Sequence, residues 1–231
     1  APFDDFQRQP LLPKKLSQLG PGVAWGDLAG NGRDDLIIGG GQGGRLAAYR
    51  NDGQGGFAPF GGSNFDRILA RDQTGVLRWP AANTKTRILT GAASYEERSP
   101  SGGQVVALEP VSGTVEDLGA EADSSVGPMV LGDLDGDGNL DLFVGGRVIP
   151  GRYPEPASSR VYRGQAGKFV LDPENTRVLA QSGLVSGAVM TDLDGDGYPE
   201  LVLACEWGPI KVFKNEHGHL RDATAEWGLE K

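Results

Sequence analysis

The sequence predicts an all-β fold built from four similar four-stranded units. Three observations support this prediction. Four short apolar runs recur at similar spacing, further apolar or aromatic positions follow each run in the same order, and no stretch has a convincing helical period. Turn-forming residues are also abundant, with 37 glycines and 15 prolines in 231 residues, as expected where short strands are joined by tight turns.

The apolar runs mark the second strand of each predicted unit. They begin at Leu36, Ile88, Leu142 and Leu201, with intervals of 52, 54 and 59 residues. Within each run the apolar residues are successive rather than alternating, which is typical of a strand buried on both faces. Two further markers follow each run, first Tyr49, Leu108, Tyr162 and Phe213, and then Phe57, Val115, Phe169 and Leu220.

These markers divide the chain into a lead-in segment or edge strand at 1–20 and a repeat region at 21–231. Each repeat reads as strand, loop, strand, turn, strand, turn and strand. Units of about 50 residues with this order, each packing its faces on its neighbours, are typical of a β-propeller. We therefore predict about four four-stranded blades, at 21–72, 73–124, 125–183 and 184–231.

Two matching acidic loops join the first and second strands of blades three and four. Residues 133–141 read Asp-Leu-Asp-Gly-Asp-Gly-Asn-Leu-Asp, and residues 192–200 read Asp-Leu-Asp-Gly-Asp-Gly-Tyr-Pro-Glu. Carboxylates occupy positions 1, 3, 5 and 9, and glycines at positions 4 and 6 permit tight winding. Alternating oxygen donors on such a loop suit a hard cation such as Ca²⁺, which takes about six to eight oxygen ligands.

We therefore predict two Ca²⁺ sites, with position 7 contributing a backbone carbonyl. The ligands predicted for the first site are Asp133, Asp135, Asp137, Asn139 and Asp141. Those predicted for the second site are Asp192, Asp194, Asp196, Tyr198 and Glu200.

A weaker third site is predicted in blade one, and none in blade two. The loop at 27–35 keeps Asp27, Asn31, Asp35 and the carbonyl of Arg33, but Ala29 at position 3 removes a carboxylate. Fewer charged ligands predict lower affinity. In blade two the corresponding count places Trp79, Ala81, Asn83 and Arg87 at the ligand positions, and these do not suit a hard cation.

An EF-hand, an ordinary acidic turn and a catalytic carboxylate pair each fit the acidic loops less well than a propeller calcium loop does. An EF-hand requires a glutamate at position 12 and flanking helices, whereas Val144 and Leu203 stand there between predicted strands. Ordinary acidic turns would not be expected to recur twice in the same nine-residue pattern before matching strands. Carboxylates crowded onto one loop suit a cation better than paired acid–base catalysis. With no other catalytic signature, we predict that the protein is not an enzyme.

Composition restricts the partners. The net charge of −9 argues against a broad nucleic-acid surface. The two full loops hold eight carboxylates, and two bound Ca²⁺ ions would bring the net charge to −5. No apolar run is long enough to span a membrane. The single cysteine, Cys205, lies in an apolar run and cannot form an internal disulfide.

A second candidate site lies on loops between the second and third strands, at the rim opposite the acidic loops. There we select Arg147, Arg152, Tyr153 and Trp207 as candidate partner-binding residues. Arginine and aromatic residues on loops are frequent anchors for a protein or a glycan. The alternative is that they fasten the long loop at 147–156 onto its own blade.

The repeat core resembles a known family. Residues 130–147 read Val-Leu-Gly-Asp-Leu-Asp-Gly-Asp-Gly-Asn-Leu-Asp-Leu-Phe-Val-Gly-Gly-Arg, and residues 206–215 with 222–226 resemble a recurrent blade ending. This pattern resembles the FG-GAP/VCBS-repeat proteins, calcium-loop β-propellers that include the integrin α head and bacterial secreted proteins related to cartilage acidic protein. The resemblance implies an extracytoplasmic, calcium-stabilised scaffold for adhesion or protein–protein interaction.

The same resemblance sets the remaining expectations. Propellers of this family usually have seven blades, so we favour a segment of a larger propeller. Closure by several chains and a small four-bladed ring stay open. The expected location is secreted, periplasmic or at the cell surface, and the expected partner is a protein or glycan, with self-assembly possible. The alternative function is a glycan-binding propeller or a non-catalytic domain of a larger secreted enzyme.

Overall fold

The structure is a computed structural model that describes residues 3–80, 85–97, 102–119 and 123–230. These residues form an all-β architecture of four four-stranded antiparallel sheets, with three short helices. The chain divides into two compact units, Ala1–Val126 and Gly127–Lys231. Within the described ranges, no helix is long and apolar enough to cross a membrane. The all-β class predicted from the repeats is confirmed.

The first two sheets lie in the first unit, and each sheet keeps here the blade number that the sequence prediction gave it, as a label only. Helix α1 (Asp5–Arg8) precedes the strands of blade one, which are β1 (Val23–Gly26), β2 (Asp35–Ile38), β3 (Ala47–Asn51) and β4 (Phe57–Pro59). Helix α2 (Ser63–Asp66) precedes those of blade two, which are β5 (Gln73–Trp79), β6 (Arg87–Ala92), β7 (Gln104–Leu108) and β8 (Val115–Asp117).

The other two sheets belong to the second unit, apart from the first two residues of β9. The strands of blade three are β9 (Ser125–Gly132), β10 (Asp141–Val148), β11 (Arg160–Gln165) and β12 (Lys168–Leu171). Helix α3 (Pro173–Val178) then leads to blade four, whose strands are β13 (Leu184–Thr191), β14 (Glu200–Glu206), β15 (Lys211–Glu216) and β16 (His219–Asp222).

Strands follow one another across every sheet in chain order, as expected when short turns join antiparallel neighbours. The second and third strands pair through the sequence markers, Leu36 with Tyr49 and Leu201 with Phe213. Strand β10 is buried at all eight of its residues, as its unbroken apolar run predicts.

Each sheet has two faces, because successive side chains in a strand point to opposite sides. We name the forward face of a blade as the one carrying Ile37 in blade one, Phe143 in blade three or Val202 in blade four. The backward face is the opposite one.

Forward faces are covered by the next blade within each unit. In the first unit, Ile37 and Leu28 share a buried cluster with Ile88 and Leu108 of blade two. In the second unit a corresponding cluster contains Leu134, Phe143 and Val161 of blade three together with Leu201 and Phe213 of blade four. Burial of apolar area between sheets is therefore the main force joining consecutive blades inside a unit.

Residues 3–20 form helix α1 and a series of turns, with no strand among them. The Asp4 carboxylate caps α1 by accepting from the amides of Phe6 and Gln7. Asp5 is fully buried and accepts hydrogen bonds from the amides of Leu16 and Ser17, both at 2.8 Å. The lead-in segment is thus held together by hydrogen bonds to a buried carboxylate and not by pairing between strands.

Blade two lacks an acidic loop, and an aromatic–arginine contact lies at the corresponding ends of its first two strands. Trp79 is the last residue of β5, is 2% exposed and pairs across the sheet with Arg87. The Arg87 guanidinium lies 5.3 Å from the Trp79 ring centroid and donates a 2.8 Å hydrogen bond to Glu116. Ala81 and Asn83, the other two positions counted from the sequence, lie outside the described residues.

Candidate metal centre

The loop at 133–141 brings three of its four carboxylates together. Asp133, Asp135 and Asp141 each offer one oxygen, and these oxygens lie within 4.8 Å of one another. Gly136 and Gly138 have φ angles of +76° and +85°, in the left-handed region that favours glycine. The glycines at positions 4 and 6 therefore serve the winding of the loop, as the sequence predicts.

Two of these carboxylates also build the loop. Asp133 accepts hydrogen bonds from the amides of Gly136 at 2.8 Å and Gly138 at 2.9 Å. Asp141 is 1% exposed and accepts from the amides of Leu134 at 3.0 Å and Gly164 at 2.8 Å. Burial raises the pKa of Asp141 despite these hydrogen bonds. The loop is thus wound around its first and last ligand positions.

The position-5 carboxylates hold position 7 of each loop, and their role as metal ligands stays a prediction. Asp137 lies outside the three-oxygen group, and its carboxylate accepts from the Asn139 amide at 2.7 Å and the Asn139 side-chain nitrogen at 2.9 Å. These hydrogen bonds lower the pKa of Asp137. Asp196 likewise accepts from the Tyr198 amide at 2.9 Å. Both carboxylates fix the residue whose carbonyl is the predicted position-7 ligand.

The loop at 192–200 repeats this geometry. Asp192, Asp194 and Glu200 form the second group of carboxylate oxygens within 4.8 Å. Asp192 accepts from the amides of Gly195 at 2.7 Å and Gly197 at 3.0 Å, matching the bonds made by the first loop. Glu200 is fully buried and accepts from the amide at position 2 at 2.8 Å.

Blade one keeps the winding without the third carboxylate. Asp27 accepts from the amides of Gly32 at 2.7 Å and Asn31 at 3.1 Å. Burial opposes ionisation of Asp27, but these backbone hydrogen bonds together lower its pKa. Asp35 is fully buried and accepts from the amide of Leu28 at 3.0 Å. At its ligand positions this loop offers two carboxylates, those of Asp27 and Asp35, whereas each of the other two loops gathers three.

The predicted position-7 residue of blade one, Arg33, directs its side chain away from the loop. Its guanidinium donates a 2.8 Å hydrogen bond to the carbonyl of Asp52, in the turn between β3 and β4. The side chain therefore ties this loop to the neighbouring turn, and only the backbone carbonyl of Arg33 is left for the ligand role that the sequence predicts.

Basic side chains from the third strands lie beside the two full clusters. The Lys214 ammonium is 2.5 Å from the Asp194 carboxylate and lowers the pKa of that carboxyl group. Arg163 lies 3.4 Å from Asp135 and is held by a 2.8 Å contact with Asp172. One cation offsets only part of the charge of several carboxylates, so both clusters favour a further positive charge.

Asn215, which is not among the predicted site residues, connects the two full loops. It is fully buried, and its side-chain nitrogen donates to the carbonyls of Leu134 at 2.9 Å and Pro199 at 3.1 Å. Its side-chain oxygen accepts from the Gly218 amide at 2.7 Å. Asn51 occupies the same place in blade one, two residues after the first marker. This repetition in the sequence could have identified the asparagine as a structural residue.

Three of the four candidate partner-binding residues come together at the ends of β10 and β14 that lie away from the acidic loops. Arg147 is 5% exposed and pairs with Glu206, which accepts a 3.0 Å hydrogen bond from the Tyr153 hydroxyl. That hydroxyl in turn accepts from the indole nitrogen of Trp207, whose residue is 74% exposed. The long loop is thus fastened to blade four rather than to its own blade.

The fourth residue, Arg152, lies apart from this group. Its guanidinium pairs with the carboxylate of Glu155 on the same loop, and both side chains are about half exposed. The structure therefore joins Arg147, Tyr153 and Trp207 through Glu206 and leaves Arg152 in a local ion pair.

The repeated loop–strand geometry agrees with comparison to known families. Residues 133–203 match the family model of the FG-GAP-like repeat. The resemblance to FG-GAP-like repeats is confirmed. The matched segment covers both full acidic loops and the strands that follow them, about a third of the chain. No curated protein matches the sequence.

Proposed function

We propose that this chain is a calcium-stabilised, non-enzymatic interaction module whose blades adopt a β-propeller arrangement. The observation that carries the proposal is the pair of equivalent carboxylate clusters, Asp133–Asp135–Asp141 and Asp192–Asp194–Glu200, each at the start of a buried strand. FG-GAP-like repeats often bind calcium, and the matched segment contains both clusters.

The donor set fits a hard divalent cation. Each cluster supplies carboxylate oxygens only, on a loop wound by backbone hydrogen bonds, and Ca²⁺ prefers oxygen ligands. A bound ion would offset the repulsion among the carboxylates and tie position 3 to the loop ends. The ion would fix the carboxylates of Asp135 and Asp194 most, because neither accepts the two short amide hydrogen bonds that hold position 1.

This role predicts a measurable effect on stability. If the sites bind with a Kd of about 10 μM, calcium near 1 mM adds roughly 2.7 kcal/mol per site to the free energy of unfolding. Such a concentration is typical outside cells, so the proposed location is secreted, periplasmic or at the cell surface. The acidic charge of the loops is then balanced by metal rather than by a basic partner.

Thermal unfolding tests the metal role. The melting temperature should fall when a chelator replaces millimolar calcium, and magnesium should restore it less well, because Mg²⁺ requires stricter octahedral geometry. Asp135→Ala should remove part of the chelator effect, whereas Asp27→Ala, in the loop that already lacks one carboxylate, should remove less. A wild-type melting temperature that does not respond to the chelator would refute the structural metal.

A glycan is a second candidate partner, favoured by the geometry around Trp207. The indole is 74% exposed while its nitrogen is held by Tyr153, and Trp207 has a φ of +62°, which is unusual for a residue other than glycine. A fixed, exposed indole beside Glu206 offers a sugar ring an apolar surface with polar groups at its edge.

A glycan array, read beside affinity capture of protein partners, separates the two candidates. Glycan binding should be lost in Trp207→Ala and kept in Trp227→Ala, which removes an indole that is 38% exposed in the tail. Array signals that survive Trp207→Ala would exclude this group of residues as the sugar site.

A further inference from the structure

The backward face of blade one is exposed. Val23 and Trp25 of β1 are 57% and 55% exposed, and Phe57 of β4 is 45% exposed. The rings of Trp25 and Phe57 meet edge to face, with centroids 5.9 Å apart. On the backward face of blade two, by contrast, Ile88 and Leu108 are 0% and 8% exposed because blade one covers them.

The forward face of blade four is exposed along its first strand and acidic loop, whereas Val212 of β15 on the same face is 2% exposed. Val189 of β13 is 48% exposed and pairs across the sheet with Val202, which is half-buried. The leucine at loop position 2 gives a direct comparison among the repeats. Leu28 and Leu134 are 6% and 0% exposed in blades one and three, whereas Leu193 in blade four is 42% exposed.

The repeats themselves indicate what fits such a face. In blades one and three the forward face is covered by the backward face of the following blade, in one apolar cluster per unit. Clusters of exposed apolar side chains on a soluble protein mark interaction sites. The forward face of blade four therefore has the character of a surface that receives another blade of this repeat.

We propose that this partner is a second copy of the chain, whose blade one docks its backward face on the forward face of blade four. The chain carries both halves of the contact, Val23, Trp25 and Phe57 on one side and Val189, Leu193 and Val202 on the other. The contact joins two different surfaces, so it is heterologous and leads either to a closed ring or to an open filament. This inference rests on the proposed function, whose self-assembling form it specifies.

Complementation between two variants tests the proposal. Val23→Glu blocks only the backward face of blade one, and Val189→Glu blocks only the forward face of blade four. By sedimentation equilibrium in calcium, the wild-type chain should associate with increasing concentration, and each variant alone should be monomeric. An equimolar mixture should form a one-to-one heterodimer, because each variant retains the half of the contact that the other has lost.

A matched control is Val170→Glu on β12, where the valine is 49% exposed on the outer strand of blade three. This variant should associate like the wild type. Circular dichroism melts of all three variants report whether each is folded. A monomeric wild type, self-association of either variant alone, or a mixture that stays monomeric would overturn the proposal. Calcium dependence of the wild-type melt is a separate measurement, so failure of assembly is distinguishable from failure of the metal role.

Discussion

At the scale of single residues, Asn215 shows how the two full acidic loops are joined. Its side chain satisfies two backbone carbonyls and one amide, drawn from both loops and from the turn at Gly218. The loops also meet directly, since a β-carbon at Gly136 would lie 3.4 Å from the Tyr198 ring. The side-chain amide of Asn215 thus holds position 2 of the loop at 133–141 and position 8 of the loop at 192–200.

Removal of this amide is expected to destabilise the second unit. Asn215→Ala leaves buried carbonyls without their donor, and an unsatisfied buried polar group costs about 1–3 kcal/mol. Urea unfolding should show a loss in that range. The matched control is Asn51→Ala in blade one, where the half-buried side chain donates to a single carbonyl, that of Asp34. Its loss should be smaller, and equal losses in both variants would contradict the role given to Asn215.

Tyr95 predicts a pH dependence at high pH. It is 2% exposed, and burial together with the nearby Asp5 raises the pKa of its hydroxyl from 10.0 to about 12. The folded state therefore holds the phenolic proton more tightly than the unfolded state does. The corresponding stability is fully present below pH 10 and is lost as pH rises from about 10 to about 12.

Denaturant unfolding at a series of alkaline pH values measures this loss. Tyr95→Phe should flatten the decline in that window, and Tyr49→Phe, at a half-buried strand position, should leave it unchanged. A decline of equal size in the wild type and in Tyr95→Phe would show that another group is responsible.

At the scale of elements, the third strand of a blade affects its acidic loop. Lys214 of β15 lies 2.5 Å from Asp194, so a cation entering the cluster competes with the ammonium group for that carboxylate. Lys214→Met should tighten calcium binding at this loop by about 1.5- to 5-fold, the range expected for one exposed ion pair. Isothermal titration calorimetry measures the affinity.

The control for this effect is Lys211→Met, which removes the same charge from the opposite side of the same strand. Adjacent odd and even positions of β15 point to opposite faces, so Lys211 and Lys214 lie on different sides of the sheet. An equal change in both variants would indicate a general effect of net charge rather than competition at Asp194.

The elements show how far the sequence determines the structure. Period and marker spacing predict the four-stranded sheets, because buried strands need successive apolar residues and tight turns need glycine. The short helices escape prediction, since four to six residues carry too little apolar period. Residue type alone assigns position 5 to the metal, whereas its hydrogen bond to position 7 depends on the winding of the loop.

At the scale of the whole molecule, internal repetition predicts more than any single motif does. It identifies Leu28, Leu134 and Leu193 as equivalent, yet it cannot tell which of them a neighbouring blade covers. The pairing of Arg147 with Glu206 is likewise invisible in sequence, because these residues are 59 positions apart and belong to different sheets. The positions of the metal ligands can thus be predicted from local sequence, whereas the burial of a residue and the contacts at the rim depend on tertiary structure.

The uneven distribution of acidic loops predicts that the two units respond differently to metal removal. The second unit holds both full clusters, whereas the first unit has one reduced loop in blade one and none in the described part of blade two. Hydrogen exchange read by mass spectrometry should therefore accelerate after chelation mainly in peptides covering 127–231. The increase should reach up to about 100-fold where local opening releases an ion held at 100 times its Kd. Peptides from β5 to β8 serve as the internal control, and equal acceleration there would show that metal does not stabilise blades individually.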